Sequence, residues 1–222
     1  MPLAPLAPLA VVALVASGAE LAYRKLFSRR ARVKRALARR PDASAPHAEG
    51  ASIRATGRVR ATGGLLRAPL SGRPCVAYHL SVGIQSQRLW SILFELRGGR
   101  TFSVADESGS VVVDGAAPVI FALANEITGQ AGWLGSNRER DTALFELIEA
   151  QGIPTRTLFG QRRTFWYSEN ALEEGKAVSV AGIGVHDVHP DGERPAPREV
   201  PERLVLCGTA DDPLLISDDP AP

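Results

Sequence analysis

The distribution of apolar and polar positions divides the chain into an uncharged start, a basic block and a longer body with alternating positions. Residues 2–19 carry no charge, and a helix from Pro8 to Phe27 would contain 20 residues. At 1.5 Å per residue this helix is about 30 Å long, which matches the hydrocarbon thickness of a bilayer. The pattern predicts a transmembrane anchor over residues 1–27, with apolar and interfacial positions at Val11, Val12, Leu14, Val15, Leu21 and Tyr23.

The basic block follows the anchor directly. Residues 24–40 contain nine Arg or Lys and no acid. Because so many cations stay on the cytoplasmic side of a membrane, the anchor is predicted to run from outside to inside. The side chains predicted to contact lipid headgroups are Arg24, Lys25, Arg29, Arg30, Arg32, Lys34 and Arg35.

Two other interpretations of the N-terminal segment stay open. A secretory signal peptide carries positive charge before its apolar stretch, whereas here the charge follows it, although residues 16–19 imitate a cleavage site. A helix lying in the membrane interface is the second, because Leu26, Val33 and Leu37 fall at helical spacing among arginines. Residues 28–51 are interpreted as a basic juxtamembrane helix followed by a linker of Pro, Ala, Ser and Gly.

Alternation with a period of two begins after the linker and predicts strands. Large apolar residues occupy every second position of 76–84, as in a half-buried strand, and again of 90–96. The glycines at 98–99 predict a hairpin turn, and residues 106–109 predict another. Residues 74–114 are thus predicted to form an antiparallel meander.

One helix is predicted between the strands. Residues 136–139 have capping-box spacing, an apolar stripe follows, and Gly152 is placed to end the helix. The stripe consists of Leu144, Leu147 and Ile148. Residues 116–128 fit either a strand or a short helix. Later strands are predicted at 164–167, 177–185, 203–207 and 214–217.

These elements predict a mainly β fold (β-rich α+β) for residues 52–217, with residues 218–222 as a tail. The fold is an antiparallel meander or small barrel with one inserted helix, preceded by the transmembrane helix. The barrel is predicted to be OB-like, a variant of the oligonucleotide/oligosaccharide-binding barrel. A two-sheet sandwich is the alternative.

The charge is unevenly distributed. The whole chain has a formal charge of +2, but beyond residue 40 there are 17 basic residues against 23 acids, a net charge of −6. Nucleic-acid binders usually present a cationic face, so nucleic acid is not expected as a partner of the body. Only three basic residues are lysines, which with the abundant Ala, Gly and Pro suggests a GC-rich bacterial genome.

Three strings carry a family resemblance: residues 68–80, 102–114 and 162–182. Together they resemble the GIDE domain, also called the BAM (beside a membrane) domain, over roughly residues 52–217. The matching positions are Pro69, Ser71, Gly72, Cys75, Tyr78, Asp106, Gly109, Asp114, Tyr167, Glu169 and Gly175.

The resemblance implies a membrane-tethered module that binds another protein. This family includes mitochondrial ubiquitin ligases, which recruit the conjugating enzyme through a separate zinc-binding RING with about eight Cys or His ligands. This chain has two cysteines and four histidines, so ubiquitin transfer is not implied. Its cysteines, Cys75 and Cys207, are expected to be free thiols.

No constellation of residues predicts catalysis, a metal or a cofactor. The segment from His186 to Asp191 contains two His and two Asp but is interpreted as a solvated loop. Cys75 and His79 would lie about 13 Å apart along one strand, too far to form a nucleophile pair. Trp166 is interpreted as a core or rim residue rather than a base-stacking platform.

The sequence favours a non-catalytic, membrane-anchored interaction module with its body in the cytoplasm, at a bacterial inner membrane. Its partners are predicted to be the lipid bilayer and an unidentified protein. The candidate binding surfaces are the loop 186–201 and an exposed sheet edge. The alternatives are an OB-like barrel that binds nucleic acid or another polyanion, and an enzyme with an unrecognised site.

Overall fold

Thirteen strands and two helices form the part of the chain that the computed structural model describes. That part comprises residues 29–43, 49–86, 89–107, 109–132, 138–157, 160–188 and 202–219. The helices are α1 (Arg29–Ala38) and α2 (Arg138–Ala150). The strands are β1 (Ser52–Ala61), β2 (Leu66–Arg67), β3 (Pro74–Cys75), β4 (Ala77–Ser86), β5 (Leu89–Gly99), β6 (Phe102–Ala105), β7 (Ser110–Val113), β8 (Val119–Ala122), β9 (Ile127–Ala131), β10 (Phe165–Leu172), β11 (Ala177–Val188), β12 (Glu202–Cys207) and β13 (Leu214–Ser217).

Five strands close into a barrel in the order β1-β6-β7-β12-β11, because β1 also pairs with β11. Neighbouring strands are antiparallel, except that β7 and β12 are parallel. Apolar residues fill the barrel; those at most 2% exposed include Ile53, Val59, Phe102, Val104 and Leu206. The mainly β fold and the barrel predicted from the sequence are confirmed.

A second sheet is built from two insertions between barrel strands. The chain forms β4 and β5 between β1 and β6, and it forms β9 and β10 between β7 and β11. These four strands pair antiparallel in the order β5-β4-β10-β9. Leu144 and Ile148 of α2 are fully buried in a cluster with Leu80, Val82 and Phe165 of this sheet. The helix therefore covers the apolar face of the second sheet.

The inserted helix is confirmed at α2, including its C-terminal end. Gly152 has a φ of 71°, and its N–H donates to Glu149 O at 2.9 Å. The N–H of Ile153 donates to Ile148 O at 3.2 Å. These two bonds are the Schellman motif that glycine makes possible. The predicted capping residue Ser136 lies outside the described residues.

The basic helix α1 packs on the body. β13 pairs with β11 and β8 pairs with β13, so these two strands extend the barrel wall. Val33 and Leu37 are 4% and 3% exposed because they contact this surface. Two of the three residues predicted to face the membrane interface are thus buried in the protein. The third, Leu26, lies outside the described residues.

The predicted linker is also tied to the body at its two ends. Arg54 donates its N–H to Pro41 O at 2.8 Å, and Ala43 donates to Arg54 O at 2.7 Å. Gly50 donates to Gly184 O at 2.9 Å. Residues 29–43 and 49–51 therefore pack as part of the β domain.

The predicted meander is wrong at the double glycine. β5 runs through Gly98 and Gly99, and the chain then crosses to β6, which pairs with β1 and β7 in the barrel. The glycines are required by close approach rather than by a turn. A Cβ on Gly99 would lie 1.8 Å from Gly115 O, and one on Gly98 would lie 2.5 Å from the Tyr78 ring.

The prediction of a half-buried strand over residues 76–84 is also wrong. β3 ends at Cys75 and pairs with β2, whereas β4 begins at Ala77. His79 and Ser81, on the face predicted to be solvated, are only 3% and 8% exposed. β4 is an interior strand between β5 and β10, and the Glu95 side chain of β5 contacts both His79 and Ser81 on this face. The ambiguous segment 116–128 resolves into strand β8 and the start of β9.

No helix within the described residues combines the length and apolarity needed to cross a bilayer. The predicted anchor positions, together with Arg24 and Lys25, fall in residues 1–28, which lie outside the described ranges. The anchor stays a prediction.

The close approach at Gly99 makes a testable difference to stability. Gly99→Ala is expected to lower the free energy of unfolding by about 1–3 kcal/mol, because the added methyl group must displace the backbone at Gly115. Urea denaturation measures this change. Gly63→Ala is the matched control, since nothing lies within 4 Å of its Cβ position; a change within about 0.5 kcal/mol is expected there. Similar losses in both variants would contradict the close-approach explanation.

Candidate functional site

The first and third strings of the family resemblance meet at the carboxylate of Glu169. This side chain is fully buried on β10. Its two oxygens accept the backbone N–H of Leu70 at 2.7 Å and of Ser71 at 3.2 Å. A buried carboxylate needs such donors, since an unpaired charge away from water is strongly unfavourable. Glu169 therefore fixes the loop 68–73 against the second sheet.

That loop is a tight turn held by its own side chains. Gly72 has a φ of 64°, and its N–H donates to Ala68 O at 2.9 Å. Arg73 donates from Nε to Ser71 Oγ at 3.1 Å and from Nη1 to Glu173 Oε1 at 3.0 Å. Pro69 lies in the turn between β2 and β3. These motif residues have structural contacts that account for them.

Cys75 is a packing residue. Its side chain is fully buried in a small cluster with Ala68 and Ala171. Burial raises the pKa of the Cys75 thiol to about 11, and the charge of Glu169 adds to this effect. The thiol therefore stays protonated at neutral pH, and it lacks the nucleophilic character of a thiolate.

The remaining motif residues are spread over the domain. Asp106 accepts the N–H of Gly109 at 3.1 Å, and Asp114 accepts that of Ala116 at 3.0 Å, so both stabilise turns. Gly175 has a φ of 79° and donates to Val59 O at 2.8 Å, where the chain passes from β10 into the barrel.

The two motif tyrosines lie over glycines of neighbouring strands. Tyr78 covers Gly98, and Tyr167 covers Gly129, whose Cβ position is 2.5 Å from the tyrosine hydroxyl. The structure thus brings Glu169 to the loop at 69–72 but does not gather all the motif residues into one site.

A polar cluster occupies the other face of the second sheet. The Glu95 carboxylate accepts hydrogen bonds from Ser81 Oγ at 3.1 Å and from Arg97 Nη2 at 2.7 Å. It also lies 3.2 Å from His79 Nε2. Burial lowers the pKa of His79 below its usual 6.5; Glu95 opposes this effect, and the charges of Arg97 and Arg29 add to it. His79 is therefore neutral at pH 7, and its Nε2 lies within hydrogen-bond distance of the Glu95 carboxylate.

Glu95 is held ionised by the same contacts. Burial on its own raises the pKa of Glu95, but the hydrogen bonds from Arg97 and Ser81 and the charge of Arg97 lower it below 4.5. In a Ser-His-acid relay the serine and the acid contact opposite ring nitrogens. Here Ser81 Oγ lies 3.3 Å from the same Nε2 that contacts Glu95. The cluster is not arranged as a catalytic relay.

The edge strand β9 is the surface most suited to binding. It is the terminal strand of the second sheet, and no described strand pairs with its outer side. Backbone groups of successive strand residues point to opposite neighbours. Leu172 O accepts the N–H of Val76 on the β4 side, at 2.8 Å. Ala171 O accepts Asn125 Nδ2 on the other side, at 3.2 Å.

This alternation decides which amides of β9 are available. β10 keeps its register from residue 165 to residue 172, so Tyr167, like Ala171, directs its backbone groups toward β9. Its partner Gly129 points back toward β10. Thr128 and Gln130 therefore direct their N–H and C=O groups outward, and both residues are exposed.

A cleft of about 460 Å³ runs beside this edge. It is lined by Thr128, Gly129, Gln130, Trp166, Tyr167 and Ser168. The Trp166 indole covers Gly83 of β4, where a Cβ would lie 2.4 Å from the ring. The edge thus combines outward amides with an aromatic wall. We call Ile127–Ala131 and this cleft the β9 edge.

The opposite edge of the sheet is less suited to pairing. β5 is 11 residues long, but its ladder with β4 has a bulge at Val82/Gly83. Glu95 and Arg97 also lie on it, and bulges and charged side chains discourage the addition of a further strand.

Sequence reasoning predicted binding at an exposed sheet edge but did not identify the strand. It also interpreted His186 as part of a loop. The structure extends β11 to Val188, with His186 opposite Leu204 on β12. Within the described residues no three His, Cys, Asp or Glu side chains are grouped to hold a metal ion. Residues 189–201, the rest of the predicted binding loop, lie outside those ranges.

Comparison with family models, with curated proteins and with solved structures found no match for this chain.

Glu169→Ala is expected to lower the free energy of unfolding by about 3 kcal/mol, because one buried and one partly buried amide lose a charged acceptor. Urea denaturation measures the loss, and the alkylation rate of the buried Cys75 thiol reports opening of the loop. Both readouts should change together. The control is Glu146→Ala on the exposed face of α2, where neither should change. Unchanged Cys75 alkylation in Glu169→Ala would contradict the assigned role.

The depressed pKa of His79 predicts a pH-dependent stability. Below about pH 6.5 His79 is protonated in the unfolded chain but stays neutral in the folded protein down to a lower pH. The free energy of unfolding therefore falls as the pH is lowered. Denaturation between pH 7.5 and about 5 measures this slope. His79→Gln should flatten it, whereas His186→Gln, at an exposed ring, should leave it unchanged. A slope that persists in His79→Gln would assign it to another group.

Proposed function

We propose that this protein is a membrane-anchored, non-catalytic interaction module that captures an extended segment of a partner protein at the β9 edge. Strand addition uses outward backbone amides for affinity and neighbouring pockets for specificity. The observation that carries the proposal is the outward orientation of Thr128 and Gln130 beside the cleft walled by Trp166.

The membrane side of the proposal is supported by the sequence. The uncharged residues 2–19 precede a block of nine cations, the pattern of an anchor that ends on the cytoplasmic side. We place the body in the cytoplasm, at a bacterial inner membrane. The resemblance to the GIDE domain supports the same role, a domain held beside a membrane that binds another protein.

The OB-like character of the barrel is part of this proposal. A five-stranded Greek-key barrel is the architecture of the oligonucleotide/oligosaccharide-binding fold. Such barrels often bind nucleic acid, which makes a polyanion the alternative ligand. The net charge of −6 beyond residue 40 disfavours it, since phosphate contacts require a cationic face.

Strands of the second sheet are inserted where the OB fold has one of its ligand-binding loops. In OB barrels the loops between the first and second strands and between the fourth and fifth strands contact the ligand. Here β2–β5 occupy the first of these connections, between β1 and β6, while residues 189–201 form the second. The binding role is therefore proposed for the inserted sheet.

Proline substitutions on β9 test the binding mode. Thr128→Pro and Gln130→Pro each remove one outward N–H while leaving the inward bonds to β10 intact. Peptides selected on the full chain from a displayed library should lose about fivefold in affinity to each variant, because each loses one hydrogen bond of about 1 kcal/mol. Fluorescence polarisation measures the affinity.

Alanine at the same positions is the matched control. Thr128→Ala and Gln130→Ala truncate the same side chains but keep the amides, so binding should change less than in the proline variants. Thermal unfolding of all four variants establishes that the fold is intact. Equal binding by the proline and alanine variants would show that the edge amides do not carry the interaction.

A further inference from the structure

A groove lies between α1 and the strands β8 and β13, beside the residues through which the helix packs on them. It has a volume of about 320 Å³. Its lining consists of Arg29, Arg32, Val33, Ala36, Ile120 and Leu215. The apolar floor comes from α1, β8 and β13, and the two guanidinium groups lie at the rim. We call this the α1 groove.

Four of the five cations of α1 divide into two sets, and the fifth, Arg35, donates to Ala31 O of the same helix at 3.2 Å. Arg30 pairs with Asp218 and Lys34 with Asp219, each at 3.0 Å, and these ion pairs hold the helix to the C-terminal end of the domain. Arg29 and Arg32 are exposed at the groove, and no ion pair joins them to another described residue. The groove therefore presents two positive charges above an apolar floor.

This combination suits an anionic amphiphile. Guanidinium groups bind phosphate through paired hydrogen bonds. The floor in turn suits methylene groups, which leave water when they contact apolar side chains. A phospholipid carries both parts in one molecule.

The position of the groove favours a membrane lipid as the source. Arg29 lies ten positions after Ala19, the end of the uncharged stretch. These ten steps along the chain span about 15 Å if helical and at most about 35 Å if extended. An anchor formed by the uncharged stretch thus holds the groove within reach of the headgroup layer.

We propose that the α1 groove binds an anionic phospholipid. Arg29 and Arg32 contact its phosphate, and the start of one acyl chain lies against Ile120 and Leu215. This inference rests on the proposed membrane anchoring. It assigns a specific lipid site to two of the seven cations predicted to contact headgroups, and it gives Arg30 and Lys34 a different role.

The test uses the full chain in detergent micelles and in lipid nanodiscs. The probe is phosphatidylglycerol with a photoactivatable group on the acyl chain. Mass spectrometry should locate cross-links at residues lining the groove, and unlabelled phosphatidylglycerol should compete better than phosphatidylcholine. The variant R29Q/R32Q should reduce the cross-linking affinity about 30-fold, since each cation near an anionic lipid contributes about fivefold.

Two controls separate the groove from general surface charge and from misfolding. Arg39→Gln removes an exposed cation outside the groove and should leave cross-linking unchanged. Ala36→Phe fills the groove and should reduce cross-linking, whereas Ala38→Phe, at an exposed position beyond it, should not. Thermal unfolding of every variant establishes that the fold is retained.

The possible outcomes are distinct. Loss of cross-linking only in R29Q/R32Q and Ala36→Phe supports the site. Cross-links confined to residues 1–28, equal competition by phosphatidylcholine, or an equal loss in Arg39→Gln overturns it. A full chain recovered in detergent-free supernatant contradicts the proposed anchoring, and cross-links at the groove in that soluble protein would support the lipid site independently.

Discussion

The pairing of β11 with three other strands is the constraint on which the structure depends. One side of this 12-residue strand pairs with β1 and closes the barrel, and the other pairs with β13 and then with β12. Because a single strand joins the barrel wall to the β13–β8 extension, the surface that holds α1 is fixed relative to the core. The α1 groove is therefore a consequence of barrel closure.

The second sheet depends on the barrel in a different way. It is formed by two insertions that are far apart in sequence, and it becomes one unit because β4 pairs with β10. Two close contacts join the second sheet to neighbouring segments of the chain. The Glu169 carboxylate binds the loop at Leu70 and Ser71, and Gly99 lies directly against the backbone of Gly115. The β9 edge is thus held on a supported sheet rather than on a free loop.

Three surfaces with different chemistry result. The β9 edge offers backbone amides and an aromatic wall, which suit an extended peptide. The α1 groove offers two guanidinium groups above an apolar floor, which suit an anionic lipid. The cluster of His79, Ser81, Glu95 and Arg97 is internally satisfied, so it contributes stability that depends on pH rather than a binding surface. A module that binds a lipid and a peptide on separate elements can do both at once.

The sequence alone determined the elements whose signals are local. Period-two alternation placed most strands, and Gly152 placed the end of α2, because side-chain direction and positive φ depend only on neighbouring residues. Pairing partners were decided by tertiary structure. Gly98 and Gly99 carry the local signal of a hairpin, yet their lack of a Cβ serves contacts with Tyr78 and Gly115. Likewise Val33 and Leu37 form an apolar stripe that a membrane or a protein can cover, and only the fold, which places β8 and β13 beneath α1, decided which one does. The local sequence shows how apolar a helix face is, but it does not show which surface covers that face, because the covering residues are distant in the sequence.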